Sequence, residues 1–428
     1  MKVAVLLAAV ALGALTAVAQ PALQKIDIKE VTRIEKTLSA DDMEGRAAFS
    51  KGIDKAADFI AAEFKAAGLQ TLPGANGYLQ PFNMLKPQFT GGSATLNGQP
   101  LDNKKWMLIT GQPTLTVTET SGYEVVTIPA GAEFFRQAYG AVSAGKNQLV
   151  LVDTSFAAQF PRLSNFKRQL MESNTSTLFL LTSVKPETFQ VTATHDIKKD
   201  RLQNVVGILP GKSKKNEYVI FSGHYDHLGI GKPLNGDSIY NGANDDAAGT
   251  TAVIMLAKYF SALKNNERTI VFAAFTAEES GGFGARYFSK QFDPAAVMAM
   301  FNIEMIGTDS KWGKNSAYIT GYEKTDMGKI LEKNLSGSAF HFYPDPYPDQ
   351  QLFYRSDNAA LASLGVPAHT ISTSKMDSEK YYHTADDEFE TLDMVNMTEI
   401  IKAIAISSTS IVAGKDTPSR VDTSDLRR

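Results

Sequence analysis

One stretch of the chain indicates the fold most clearly: Tyr218-Val219-Ile220-Phe221-Ser222 runs into Gly223-His224-Tyr225-Asp226-His227. A short apolar run that ends in glycine and polar side chains is typical of a strand buried on both faces and followed by a loop. The same pattern returns at residues 269–275, which run into Thr276-Ala277-Glu278-Glu279. Side chains capable of chemistry therefore follow directly on predicted strands.

The surrounding region, residues 201–412, alternates apolar strands with amphipathic helices. Strands are predicted at residues 205–209, 218–222, 269–275, 298–306, 317–320 and 368–372, and helices at 247–263, 282–288, 327–335 and 395–412. This alternation favours an α/β fold with a mostly parallel sheet sandwiched by helices.

The first half of the chain has a different texture. Helical spacing of apolar residues predicts helix over residues 29–70, and a Gly/Pro-rich connection follows at 73–87. Residues 90–200 carry short β-like runs without clustered histidines or carboxylates. We therefore expect residues 20–89 to belong with the main domain at 201–412, residues 90–200 to form an inserted smaller β-rich lobe, and residues 413–428 to form a polar tail.

Composition excludes several kinds of site. The chain has 428 residues, a formal net charge of -3, six histidines and no cysteine. Disulfides, thiolate metal sites and cysteine nucleophiles are thereby excluded, so any metal is held by histidine and carboxylate. No long basic stretch is interleaved with aromatic residues, and we expect no nucleic-acid partner.

Residues 1–19 predict a signal peptide. Lys2 precedes an almost unbroken apolar run, and Ala17-Val18-Ala19 is a small-x-small cleavage site. The alternative is a membrane anchor, but the run is short for a span of about 20 residues. We expect a secreted or periplasmic protein with no stable membrane insertion after cleavage, since no later segment looks apolar enough to cross a membrane.

Polar residues follow the predicted strands of the second half at several places. In open α/β sheets the carboxyl ends of strands converge on one crevice, so His224, Glu279 and Glu304 are expected to meet there. Asp245 and His383 lie in loops of the same region. Taken singly, each has an ordinary alternative, such as a helix cap or a buried histidine. Together, two histidines and three carboxylates suit two zinc ions when one carboxylate bridges.

These residues resemble the M28 family of zinc peptidases. The matching motifs are Gly223-His224-Tyr225-Asp226-His227-Leu228-Gly229, Asn244-Asp245-Asp246, Thr276-Ala277-Glu278-Glu279, Asn302-Ile303-Glu304 and Tyr382-His383-Thr384, with Glu44-Gly45-Arg46 nearer the N-terminus. Residues 90–200 lie where many members carry a protease-associated (PA-like) insertion.

The resemblance implies a role for each matched residue. His224, Asp245 and Glu304 would hold one zinc, and Asp245, Glu279 and His383 would hold the other, with Asp245 bridging. Glu278 would be the general base, Asp226 would orient His224 through its other ring nitrogen, and Tyr382 would stabilise the oxyanion. Tyr382 could equally be a packing aromatic. Position 304 is Glu where aminopeptidases of the family more often carry Asp.

The expected activity is removal of N-terminal residues from peptide substrates by a di-zinc exopeptidase. Alternatives are a carboxypeptidase or a glutaminyl cyclase on the same scaffold, and a non-catalytic binding protein. His227 lies three residues beyond His224, so it could either support the metal site or have a surface or packing role. The sequence says nothing about oligomeric state.

Overall fold

The computed structural model describes residues 23–234 and 236–426. The expected signal peptide, residues 1–19, lies outside these residues. The described helices are α1 (Ile28–Leu38), α2 (Lys51–Ala66), α3 (Phe134–Ser143), α4 (Ala248–Leu263), α5 (Phe283–Ser289), α6 (Met327–Asn334), α7 (Asn358–Ala362), α8 (Met394–Ser407) and α9 (Thr409–Val412).

The strands are numbered in chain order over the same residues. They are β1 (Leu79–Leu96), β2 (Gln99–Leu101), β3 (Trp106–Ile109), β4 (Thr114–Thr118), β5 (Glu124–Ile128), β6 (Gln148–Val152), β7 (Leu170–Met171), β8 (Thr177–Leu181), β9 (Phe189–Leu209), β10 (Lys214–His224), β11 (Gly229–Leu234), β12 (Asp237–Tyr240), β13 (Arg268–Phe275), β14 (Val297–Ile303), β15 (Ser316–Ile319), β16 (His341–Pro344) and β17 (Ala368–Ser372).

The chain forms two compact units. One comprises the described residues up to Pro81 together with those from Leu202 onward, and the other comprises residues 82–201. The second unit therefore begins eight residues before the expected boundary at 90. The Gly/Pro-rich connection expected at 73–87 is wrong in its second half, because residues from Leu79 onward form β1. The sequence did not predict β1 because the strand contains prolines, which are unusual inside a sheet.

The larger unit is built on a mixed sheet in the order β16-β15-β17-β14-β10-β13, with the last part of β9 at the far side of β13. Strands β13, β10, β14 and β17 are parallel neighbours. All eight residues of β13 are buried, which explains the continuous apolar run in its sequence. The predicted α/β fold with a mostly parallel sheet is confirmed.

Helices cover both faces of this sheet. On one face, α1, α2, α4 and α8 pack their apolar residues into a core that includes Phe221, Phe260 and Phe301, whose rings stack. On the other face, α5 and α7 cover a smaller core around Ile220, Val271 and Met300. The polar residues that follow β10, β13 and β14 lie beyond these two cores, at one edge of the sheet.

The predicted helical region at 29–70 is not continuous. A short 3-10 segment, Asp41–Arg46, separates α1 from α2, and Glu44 and Gly45 within it have positive φ angles of 50° and 62°. Residues in that conformation cannot continue a right-handed helix. The side chain of Ser50 then caps α2 by accepting the backbone N–H of Ile53.

One expectation about membranes was also wrong. In the described residues, Met394–Val412 is a helical segment long and apolar enough to cross a membrane by length and composition. However, 67% of its most apolar window is buried inside the protein, as is usual for a core helix.

The smaller unit has one sheet of its own and its own cores. Strands β3, β8, β6 and β5 form a four-stranded sheet, and β4 pairs with the first half of β9. Two apolar clusters fill the unit, one around Trp106, Leu108 and Leu180 and the other around Phe156 and Phe160.

Candidate metal centre

The sheet register places the strand ends at one level. Ser222 pairs with Asn302 across β10 and β14, so His224 and Glu304 each lie two residues further along parallel strands. His224 also pairs with Phe275, the last residue of β13, and the turn after it carries Glu278 and Glu279. The three strand-end motifs therefore meet at one edge, as the sequence predicts.

The first group of converging donors is formed by His224, Asp245 and Glu304. One ligand atom from each lies within 4.8 Å of the other two. His224 Nε2 is 3.2 Å from Asp245 Oδ1, and both side chains are almost completely buried. Ser356 donates its hydroxyl hydrogen to Glu304 Oε2, which fixes the longer Glu side chain in place.

The second group shares Asp245 with the first. His383 Nε2 lies 3.3 Å from Asp245 Oδ2 and 3.1 Å from Glu279 Oε2. Asp245 thus directs one carboxylate oxygen toward each group, which is the arrangement of a bridging ligand. His383 is the most accessible member, with 34% of its side chain exposed.

His227 belongs to this second group, although the sequence left its role open. Its Nδ1 lies 2.9 Å from Glu279 Oε1 and 3.9 Å from Asp245 Oδ2, and the side chain is completely buried. One ligand atom from each of His227, Asp245 and Glu279 also lies within 4.8 Å of the other two. The surface alternative for His227 is wrong. The only sequence signal was its position within the His-Tyr-Asp-His motif.

The donor set fits zinc. The Nε2 atoms of His224, His227 and His383 are buried and have no hydrogen-bond partner in the described structure. The Nε2 atoms of His224 and His383 face the carboxylate oxygens of Asp245, and a divalent cation would satisfy such buried nitrogens. Histidine and carboxylate are also the ligand types that suit zinc.

The electrostatics of the site also favour a bound metal cation. Burial and neighbouring carboxylates raise the pKa of Glu304 to about 7 and that of Glu278 well above its usual value. Burial alone would also raise the pKa of Asp245 and Glu279, but contacts with the histidines hold both below their usual values. The charge of buried Arg46 acts on Asp226 and Asp245. A cluster with this many carboxylates is stabilised further when a metal cation lies between them.

Asp226 faces the other ring nitrogen of His224 with its backbone oxygen and not with its carboxylate. The second ring nitrogen of His224, Nδ1, lies 3.1 Å from the backbone oxygen of Asp226, whereas the nearest carboxylate oxygen of Asp226 is 3.8 Å away. The carboxylate instead accepts the backbone N–H groups of Glu278 at 3.0 Å and Glu279 at 3.3 Å. The residue therefore orients His224 through its main chain, and its side chain positions the turn that carries the two glutamates.

Two further aspartates hold the loop that carries Asp245. Asp387 accepts the backbone N–H groups of Asn244 and Asp245 at 2.8 and 3.0 Å. Asp246 accepts those of Gly249 and Met305 at 2.9 and 3.1 Å, and that of His224 at 3.2 Å. No spacing or motif in the sequence pointed to Asp387.

Arg46 anchors the same loops from the N-terminal segment. Its buried guanidinium donates to the backbone oxygens of Leu38, Tyr225, Asn241 and Gly242 at 2.6 to 2.9 Å. The two loops it joins follow β10 and β12, so one side chain fixes the path of both ligand-bearing segments. The Glu-Gly-Arg motif marked this residue, but only the fold reveals its contacts.

The remaining predicted residues lie at the rim of the site. Tyr382 stacks on His383 with ring centroids 3.9 Å apart and an interplanar angle of 20°. Burial and nearby carboxylates raise the pKa of its hydroxyl, so the phenol is protonated and able to donate. Glu278 is partly buried, as are Glu279 and Glu304.

Comparison with known proteins is consistent with this geometry. Residues 204–407 match the model of Peptidase family M28. A probable leucine aminopeptidase from Trichophyton verrucosum is 26% identical over 325 residues, covering 70% of this chain and 84% of that protein. BSAP, a zinc aminopeptidase from Bacillus subtilis, has a solved structure that matches with a TM-score of 0.53 and 15% identity, covering 92% of this chain and 98% of that one.

A second similar solved structure is that of an enzyme named for a different activity. The Porphyromonas gingivalis glutaminyl cyclase matches with a TM-score of 0.50 and 10% identity, covering 90% of this chain and 99% of that one. At such identities the structural matches establish the fold alone. The family match spans the strands and loops that bring the histidines and carboxylates together. The chain is therefore a zinc-dependent peptidase of family M28.

Proposed function

We propose that the chain is a di-zinc aminopeptidase that removes N-terminal residues from peptides. The observation that carries the proposal is the position of Asp245, whose two carboxylate oxygens face separate groups of buried donors. One zinc would be held by His224, Asp245 and Glu304, and the other by Asp245, Glu279 and His383. When bound, the two ions supply Lewis acidity for the peptide carbonyl and for water.

His227 and Asp226 position the second group. The imidazole of His227 lies against Glu279 Oε1, which leaves Glu279 Oε2 facing His383. The carboxylate of Asp226 holds the backbone of Glu278 and Glu279 together. Supporting contacts of this kind typically alter metal affinity or activity by about 10- to 100-fold when removed.

Glu278 is the proposed general base. It lies next to Glu279 in the turn after β13, and it is partly buried, like the ligand residues Glu279 and Glu304. Its raised pKa, caused by burial and by neighbouring carboxylates, suits a group that takes a proton from water and then delivers it to the departing amine. Tyr382 would donate its hydroxyl hydrogen to the carbonyl oxygen of the substrate.

The first experiment tests the metal and the base together. Purified protein is expected to contain about two zinc ions per chain by elemental analysis, and chelation should remove activity that added zinc restores. Glu278→Gln should lower turnover by at least about 100-fold while keeping its zinc, since general-base catalysis contributes roughly 10²–10⁴-fold. Glu399→Gln, at an exposed site paired with Lys402, is the matched control. One zinc per chain, or normal turnover by Glu278→Gln, would contradict the proposal.

The second experiment tests which end of the peptide is cleaved. Leucine p-nitroanilide should be hydrolysed and its N-acetylated form should not. Peptides with N-terminal glutamine test the cyclase alternative, which the fold shared with the Porphyromonas gingivalis enzyme leaves open. Release of C-terminal residues from N-blocked peptides would favour a carboxypeptidase instead.

We also propose that the protein acts outside the cytoplasm, in the periplasm or secreted. The proposal rests on the charged, apolar and small-residue pattern of residues 1–19. N-terminal sequencing of protein recovered from the periplasm or medium should begin near Gln20. A protein that keeps Met1 in the cytoplasm would contradict it. The PA-like character of residues 90–200 likewise remains a proposal.

A further inference from the structure

The smaller unit contains a cavity separate from the metal centre. Its volume is about 550 Å³, within the range of small-ligand sites, and all of its lining residues belong to residues 86–168. Two aromatic side chains, Phe89 and Trp106, form much of its wall, and three cations, Lys86, Lys167 and Arg168, also line it. No aspartate or glutamate is among the lining residues.

Lys167 is the unusual member of this wall. It is the last residue of the 3-10 segment Phe160–Lys167, and its side chain is held largely away from water. Among the described residues, no carboxylate lies within ion-pair distance of its ammonium group, whereas Lys86 pairs with Asp200 at 2.5 Å. Burial lowers the pKa of Lys167 to about 8, so the side chain is still mostly protonated at neutral pH.

The contacts of Lys167 do not neutralise it. Its Nζ donates to His195 Nε2 at 3.1 Å and lies 5.7 Å from the centre of the Phe89 ring. Burial lowers the pKa of His195 to about 4, so the imidazole is a neutral acceptor. A buried cation that keeps its charge without a counter-ion is costly, and an anionic ligand would remove that cost.

The rest of the cavity wall indicates the chemistry of the part of the ligand next to its negative charge. The Phe89 ring is 45% exposed and meets the Trp106 ring edge-on at 5.6 Å. The indole N–H of Trp106 donates to Asn103 Oδ1, so the indole offers the cavity only its apolar surface. Lys167, a partly buried cation without a counter-ion beside apolar rings, matches a negative charge on an apolar body. Arg168 is exposed in the same wall and has no carboxylate partner among the described residues, so it can contact the same anion.

Amide and hydroxyl side chains in the same wall favour a peptide. Gln88, Asn103 and Ser164 line the cavity together with the aromatic rings. Such groups match the N–H and C=O groups of a peptide main chain, whereas a fatty acid has none to satisfy. The choice of a peptide rests on the proposed peptidase function.

We propose that this cavity binds the C-terminal carboxylate of a peptide whose last residues are apolar, with Lys167 as the carboxylate-binding group.

The cavity has a built-in reporter. The chain has two tryptophans, Trp106 in the cavity and Trp312 in the other unit. In full-length zinc-loaded protein carrying Trp312→Phe, Trp106 is the single tryptophan, and its emission can be titrated with N-acetyl-Ala-Phe-Leu as the free acid and as the amide. Acetylation removes the free N-terminus that the metal centre is proposed to require.

The free acid should bind at least about tenfold more tightly than the amide, because hydrogen bonds between charged groups are the stronger ones. Lys167→Met keeps the aliphatic stem and should abolish this preference, whereas Lys167→Arg should retain it. Lys146→Met, an exposed site in the same unit that pairs with Glu124, is the matched control and should bind like the parent. Thermal unfolding of each variant confirms that it is folded.

Equal affinity for acid and amide, or a preference that persists in Lys167→Met, would overturn the proposal. Decanoate that binds while the peptide does not would overturn the peptide assignment. Hydrolysis of leucine p-nitroanilide is measured in parallel, and Lys167→Met should leave it unchanged. If the parent protein does not hydrolyse leucine p-nitroanilide, the proposed function is contradicted. If the parent protein hydrolyses it but binds the free acid no more tightly than the amide, only the cavity proposal is contradicted.

Discussion

The carboxylate of Asp226 offers a sharp test of how the metal centre is organised. It is buried and accepts two backbone N–H groups, those of Glu278 and Glu279. Burial raises its pKa to about 6, so at pH 8 it is ionised and accepts both bonds. In Asp226→Asn one oxygen becomes an amide nitrogen, which cannot accept. The backbone oxygen that contacts His224 Nδ1 is unchanged by the substitution.

The expected magnitude follows from these contacts. A hydrogen bond to a charged acceptor contributes roughly 1.5–3 kcal/mol, and the substitution removes one and makes the other neutral. Because 1.4 kcal/mol corresponds to a factor of about ten, zinc affinity should fall by up to about 10- to 100-fold. Zinc affinity should fall because the turn that carries Glu279 becomes less ordered, while the position of His224 is unchanged.

A double-mutant cycle separates the two routes. Zinc affinity is measured by competition with a chelator of known affinity for Asp226→Asn, Glu279→Gln, His224→Gln and the two double variants. The effects of Asp226→Asn and Glu279→Gln on the free energy of zinc binding should differ from additivity by about 1 kcal/mol or more. The effects of Asp226→Asn and His224→Gln should be additive. Coupling to His224 alone would refute the reasoning, because the carboxylate would then act on the imidazole.

Three further predictions concern neighbouring residues. Arg46→Met leaves four backbone oxygens without their buried donor, and we expect about 3–5 kcal/mol of destabilisation, seen as a lower urea midpoint; an unchanged midpoint would contradict this. His227→Phe should weaken zinc binding by about 10- to 100-fold in chelator competition because Glu279 loses its imidazole contact, and unaltered affinity would exclude this role. Burial raises the pKa of Glu35 to about 8, above its unfolded value near 4.5. Its contribution to stability is therefore fully present below about pH 4.5 and lost as pH rises through 8. Glu35→Gln should flatten that decline in unfolding midpoint between pH 5 and 9, and a parallel decline in the variant would count against it.

Much of the fold could be predicted from the sequence because the period of apolar residues reports burial directly. The strand β13 is buried along its whole length and β10 from Val219 onward, so both contain continuous apolar runs, and the helix α4 follows the loop with Asp245 as expected. The break between α1 and α2 could not be predicted in this way. It depends on the positive φ angles of Glu44 and Gly45, which the apolar period does not encode.

The sequence is also insufficient to decide whether an apolar helix crosses a membrane. The segment Met394–Val412 has the length and composition of a membrane span, and composition alone cannot distinguish a span from a core helix. The distinction is made by neighbouring elements, since its apolar residues pack into the core that it shares with the helices α1, α4 and α6.

The sequence by itself determined that this chain has an α/β fold with histidines and carboxylates at its strand ends, because residue type and spacing along a strand are local properties. It also determined which residues resemble the ligands and the base of family M28. Tertiary structure alone decided that His227 contacts Glu279, that Asp226 holds a turn with its side chain and His224 with its main chain, and that Asp387 and Arg46 fix the ligand loops. These contacts join residues far apart in the chain, so their geometry exists only once the sheet has assembled and brought the loops together.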